Sequence, residues 1–156
     1  MLQIVPMSAE NRLHLKRLNT AWLEKYFHVE PADMTQLSEP EQQIIAKGGY
    51  VFFALYGEEV CGTVSLLKID AETYELSKLC VDESFQGRGI GRQLILHAIT
   101  HAQILRADKL ILYSHSRLKT AFDLYLKFGF REVPLGQSRY RRSNLKMELE
   151  LPKRGA

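Results

Sequence analysis

Gln86-Gly87-Arg88-Gly89-Ile90-Gly91, followed by Arg92, is the stretch of this chain best suited to hold a charged ligand. A strand-like run, Tyr74-Glu75-Leu76-Ser77-Lys78-Leu79-Cys80-Val81, stands before it. After it, Ile90, Leu94, Ile95, Ala98, Ile99, Ala102 and Leu105 recur at helical spacing. A strand, a glycine turn and a helix start gather several backbone N–H groups in one concavity. The first amides of a helix have no internal acceptor, and the helix dipole adds partial positive charge there. Glycines remove the Cβ atoms that would hold an anion away. The chemistry this implies is phosphate binding.

Two nucleotide readings fit poorly. A Walker loop needs Lys and then Ser/Thr after its last glycine, where this chain has Arg92-Gln93. The dinucleotide fingerprint G-x-G-x-x-G fails because Gly87, Gly89 and Gly91 are evenly spaced. It also needs an acidic residue ending the next strand, and Asp108 precedes that strand.

The pattern Gln/Arg-x-x-Gly-x-Gly/Ala does fit, from Gln86 through Gly91 with Arg92 opening the helix. A second pattern, A…LY-x-K-x-GF, stands as Ala121-Phe122-Asp123-Leu124-Tyr125-Leu126-Lys127-Phe128-Gly129-Phe130. On these two motifs, in this order and with a strand between them, the chain resembles the GNAT superfamily of acyl-CoA-dependent N-acetyltransferases. The resemblance runs from about Leu2 to about Leu151 and is most specific from Glu75 to Phe130. It implies an α/β fold, a mixed and partly splayed central sheet of about seven strands with about four helices packed on it. It also implies acetyl-CoA as cosubstrate, no metal, and direct transfer of acetyl to a primary amine in a ternary complex. A non-catalytic acyl-CoA-binding sensor or interaction module is the alternative, and a nucleotide module with an atypical loop is the third reading.

Acetyl transfer from a thioester to an amine has three needs. The amine must be neutral, the carbonyl oxygen needs donors as it gains charge, and the departing thiolate benefits from a proton. The resemblance puts a general base at Glu75, against the alternative of a solvated carboxylate, with Glu72 and Asp70 as nearby spares. By period two, Glu75, Ser77, Leu79 and Val81 share one face of their strand. The implied oxyanion donor is the Leu79 N–H. The backbone of Leu79, Cys80 and Val81 would pair with the pantetheine arm, which requires this strand to splay from Lys109–Ser114. Tyr125 matches the family's acid, while Leu118, Ala121, Phe122 and Tyr125 also form a stripe that reads as core. The resemblance puts the diphosphate on Gln86, Gly87, Arg88, Gly89, Ile90, Gly91 and Arg92.

His115 stands where the family often has Asn, and it receives no role. His97 and His101 have zinc-like spacing without a third ligand, so a flanking polar pair is the plainer reading. Arg139-Tyr140-Arg141-Arg142 is either a solvated loop or an attractor of acidic substrates. Trp22, Tyr26 and Phe27 read equally as groove lining and as core.

The elements that must position these groups follow from caps and breakers. Residues 2–5 read as a strand, and Ser8 caps a helix carrying Leu13, Leu18, Trp22, Leu23 and Tyr26. Residues 28–40 read as a loop broken by Pro31 and Pro40, and 41–47 as a short helix ended by Gly48-Gly49. Residues 50–56 and 60–69 are strands joined at Gly57-Glu58-Glu59, and 74–81 is the next strand. The helix 89–105 leads to a parallel strand, 109–114, since the crossover is helical. A helix at 118–128 stops at Gly129; strands at 130–133 and 144–151 flank a polar, basic loop at 134–143.

A chain of 156 residues reads as one domain, 1–156, large enough to bury a core. A net charge of +3 suits a polyanionic ligand but is too small to argue for nucleic acid. No apolar run reaches signal-peptide or membrane-spanning length, so a cytoplasmic protein without membrane or nucleic-acid partners is expected. Cys61 and Cys80 read as small core residues. The acceptor is a small-molecule or peptide amine, and a homodimer stays open because the fold often pairs.

Overall fold

In the computed structural model, which describes residues 1–138 and 140–152, the chain opens with β1 (Leu2–Pro6), α1 (Leu13–Tyr26) and α2 (Pro31–Ser38). Strands β2 (Tyr50–Tyr56), β3 (Glu59–Lys68) and β4 (Thr73–Val81) follow. Helix α3 (Ile90–Ile104) crosses to β5 (Lys109–Ser114), and α4 (Lys119–Lys127), β6 (Arg131–Val133) and β7 (Leu145–Glu150) complete the fold. The sheet order is β1-β2-β3-β4-β5-β7-β6. Among the described residues only β4 and β5 pair in parallel, as their helical crossover requires.

Two apolar clusters sandwich the sheet. Ile90, Leu94, Ile95, Ala98 and Ala102 bury one stripe of α3 against Val64, Leu66, Tyr74 and Leu76. On the opposite face, Leu15, Leu18 and Leu23 of α1 and Leu37 of α2 pack on Val51, Phe53 and Leu67. Each fully buried Leu or Ile contributes about 1.5–3 kcal/mol. Gly62 lets the start of α3 come close: a Cβ there would meet Leu94 Cδ1 at 3.0 Å and the Cys80 carbonyl at 3.1 Å.

Four expectations need correcting. First, α2 lies inside the supposed loop 28–40. Pro31 begins this helix because a first-turn residue needs no N–H acceptor, and Glu30 with Asp33 forms a reciprocal capping box. Second, Arg12 precedes α1, while Ser8 and Asn11 cap each other in the turn upstream. Third, the 41–47 segment is a π-helical turn over Glu41–Ile45.

The fourth matters most. Glu75 and Ser77 do not share a face with Leu79 and Val81. Lys78 adopts φ +57°, and the β3–β4 register shifts there, so one extra residue reverses the alternation. Tyr74 and Leu76 pack toward α3, as do Leu79 and Val81, whereas Cys80 joins the α1 cluster.

Candidate active site

Asp82 caps a single 3₁₀ turn, Glu83–Phe85, by accepting from the Ser84 N–H at 2.9 Å. From α1, Arg17 holds the same carboxylate at 3.3 Å and Lys25 pairs with Glu83. The chain then passes through Gly87 (φ +81°) and Gly89 (φ +75°), where a Cβ would point into open space but the backbone would be strained. Gln93 is the first residue of α3 whose N–H reaches a carbonyl, that of Gly89 at 3.1 Å. Among the described residues no backbone carbonyl accepts from the amides of residues 87–92, and no side chain caps α3. Arg88 lies over the rings of Tyr56 and Phe85, and Arg92 over Phe128, which adds cationic charge around the turn. Unclaimed amides at a helix start, with cationic side chains around them, are a geometry able to receive a polyanion.

A second set of unclaimed backbone groups adjoins it. Strand β4 pairs with β5 only at Thr73, Tyr74 and Glu75, and beyond Glu75 the two strands separate. Asp82 donates to the Cys61 carbonyl at 2.7 Å, and Cys80 pairs with Thr63, so these residues turn their backbone groups toward β3. Alternation then turns Leu79 and Val81 toward the gap. The Gln86 side-chain amide reaches the Val81 carbonyl at 3.5 Å, from the same side.

Glycine turn and gap open into one cavity of about 730 Å³. The residues that the resemblance assigned to catalysis and cofactor binding line it except Cys80 and Arg88, while the spare carboxylates Asp70 and Glu72 are exposed and lie outside it. Glu75 is 2% exposed and lines the cavity, which excludes the solvated-carboxylate reading. Tyr125 is both core and cavity wall. Its ring packs edge-on against Phe130 with centroids 5.7 Å apart, and burial pushes its phenol well above the ordinary value. It therefore stays protonated at neutral pH. Cys80 faces away, and burial pushes its thiol up to about 12. Cys61 is raised for the same reason, so neither cysteine offers a thiolate.

The far end of the cavity is built from parts that the sequence reading did not assemble. Trp22 contacts Tyr26 and Phe27, and all three line the cavity. Opposite them, Arg142 from the β6–β7 loop makes a bidentate pair with the buried Asp33 carboxylate, at 2.7 and 2.8 Å, and reaches Glu30 at 3.1 Å. Its charge is thereby spent. Beside it, the Tyr140 hydroxyl donates to Gln36 Oε1 at 2.9 Å, and Lys78 from the β4 bulge donates to the same oxygen. Arg139, the first residue of the basic run, lies outside the described residues. The Glu30-Pro31-x-Asp33 capping signature was the sequence clue to this wall, obscured by reading Pro31 as a breaker.

His115 lines the cavity, with Nδ1 accepting from the Arg117 N–H at 2.9 Å and its ring 5.5 Å from Phe27. Its neutral form therefore carries the proton on Nε2. His97 and His101 pack edge-on against Phe52 and Tyr50 beneath α3. Among the described residues no group of three His, Cys, Asp or Glu could hold a metal ion, and no helix is long and apolar enough to cross a membrane.

This architecture matches known proteins. The sequence profile of the Acetyltransferase (GNAT) family covers residues 15–130. A Bacillus subtilis (strain 168) relative, the uncharacterized N-acetyltransferase YvbK, is 34% identical over 102 residues, 64% of this chain and 66% of that protein. The match thus spans just under two thirds of the relative's length. An acetyltransferase of the GNAT family from Staphylococcus aureus Mu50 superposes with a TM-score of 0.87 at 19% identity, over 97% of this chain and 100% of the other. A Bacillus subtilis acetyltransferase in complex with CoA superposes with a TM-score of 0.75 at 25% identity, over 97% and 100%.

Proposed function

Because the chain belongs to the GNAT family of acetyltransferases, we propose that it transfers an acetyl group from acetyl-CoA to a primary amine, directly and within a ternary complex. The observation that carries this reading is a convergence. Amides 87–92 without backbone acceptors, the open edge of β4, Glu75 and Tyr125 all meet in one cavity.

The residues fit a CoA thioester. Amides of residues 87–92 would hold the diphosphate, helped by Arg92, and the backbone of Leu79 and Val81 would pair with the pantetheine arm. Bound there, the thioester supplies an activated acetyl group. Glu75 accepts the proton that the attacking amine sheds, directly or through water, so that nitrogen can form the new N–C bond. The Leu79 N–H faces the carbonyl oxygen as it gains charge. Tyr125 gives a proton to the sulfur as the C–S bond breaks, and solvent restores it. Direct transfer is favoured because neither cysteine offers a thiolate for an acyl-enzyme.

Thiol release, measured with acetyl-CoA and a panel of small amines, amino acids and peptides, tests the reading. Turnover with at least one amine is expected. Tight CoA binding by calorimetry without turnover on any amine would replace the enzyme by a sensor.

A further inference from the structure

We infer that the acceptor is a small amine bearing a carboxylate on an apolar body, of amino-acid type, and that Arg117 selects it. This inference rests on the transferase reading above and names the substrate of that same cavity.

Size comes from two bridges that cross the gap between the halves of the sheet. Arg117, between β5 and α4, donates through Nη1 to the Tyr26 carbonyl at the end of α1, at 3.0 Å. Arg142, between β6 and β7, grips Asp33 and Glu30 of the α2 cap. Together they tie the acceptor end of the cavity to both halves. Two ties at this end favour a small molecule over a polypeptide as the occupant.

Charge comes from counting what remains after the bridges form. The carboxylates that could attract a polycation on this wall, Glu30 and Asp33, are already paired with Arg142. Glu75, the base of the proposed reaction, lines the same cavity and marks where the amine is received. Arg117 is different. It lies over the Phe27 ring at 5.1 Å, lines the cavity, and among the described residues no carboxylate pairs with it. Its Nη1 is used on a neutral carbonyl, which leaves the Nε–Nη2 edge of the guanidinium to take a carboxylate in forked geometry. The rings of Trp22, Tyr26 and Phe27 line the same cavity as Arg117 and Glu75 and supply an apolar wall. An acceptor complementary to this arrangement has its amine at Glu75, an apolar body on the rings and its carboxylate at Arg117.

The test compares L-phenylalanine with 2-phenylethylamine, which differ only in the carboxylate, in steady-state acetylation by wild type, Arg117→Ala and Arg117→Lys. Wild type should favour phenylalanine by about tenfold in kcat/KM, through KM. Arg117→Ala should remove that preference, Arg117→Lys should keep part of it, and the KM for acetyl-CoA should stay unchanged in both. The inference is overturned if wild type prefers 2-phenylethylamine or a peptide, or if Arg117→Ala leaves the ratio intact. It is also overturned if the loss falls on acetyl-CoA KM instead. In each case turnover persists, so the transferase reading survives; absence of turnover on every amine would remove both.

Discussion

Tyr125 and Glu75 are both buried and both line the cavity, so packing and the proposed chemistry fall on the same side chains. The Tyr125 ring fills core space against Phe130, and the burial that raises its pKa keeps the hydroxyl protonated. Tyr125→Phe keeps the ring and removes the donor. Turnover should fall by about 10²-fold with CoA affinity, measured by calorimetry, little changed. An unaltered rate would take Tyr125 out of the mechanism. Glu75→Gln keeps shape and hydrogen-bonding capacity but cannot accept a proton. Its kcat should also fall by about 10²-fold, and the limb of the pH–rate profile that rises from acid should vanish. Retention of that limb would assign the base to another group.

Among the elements, the glycine turn and α2 make separable contributions. Gly89 is left-handed at φ +75° with open space ahead of its Cα, so Gly89→Val strains the turn and shields the amides without clashing. Losing one or two charge-assisted hydrogen bonds, at about 1.5–3 kcal/mol each, should weaken CoA by about a hundredfold in calorimetry. Unchanged affinity would refute the turn as the diphosphate cradle. Helix α2 depends on a distant residue. Arg142→Ala would strand the Asp33 carboxylate, which is 2% exposed, and should cost about 3–5 kcal/mol in denaturant unfolding. A cost below 1 kcal/mol would show that this wall does not rely on the pair. Most elements were legible from periodicity and punctuation, β5 to the residue. α2 was not, because its stability comes from a cap and an ion pair rather than from an apolar stripe.

For the molecule as a whole, acid sensitivity should reside under α3. His97 and His101 are pushed below the ordinary imidazole value of 6.5 by burial, and His101 also by His97. Among the described residues His101 Nε2 has no hydrogen-bond partner. The folded state therefore binds fewer protons than the unfolded chain, and this stability is full above pH 6.5 and lost as pH falls through the lower folded values. His14 shifts the same way, while Glu41, Asp82 and Glu148 are held down by their partners and act at lower pH. Melting temperature should drop from pH 7 to pH 5, and less steeply in a His97→Gln/His101→Gln variant; equal slopes would locate the sensitivity elsewhere.

Local chemistry was readable along the chain. Glycine spacing, helical stripes and the two motifs specify a glycine turn, its flanking strand and helix, and the family, because each depends on neighbours a few residues apart. Folding alone could settle which faces meet. A single left-handed residue, Lys78, reverses the alternation of β4 and sends Cys80 to one side and Leu79 to the other. Asp33 and Arg142, 109 positions apart, neutralise each other only because the first turn of α2 and the β6–β7 loop meet in the folded chain. Long-range pairing of this kind leaves no periodic trace in a single sequence, since its cost and reward are realised only when the distant segments are packed together.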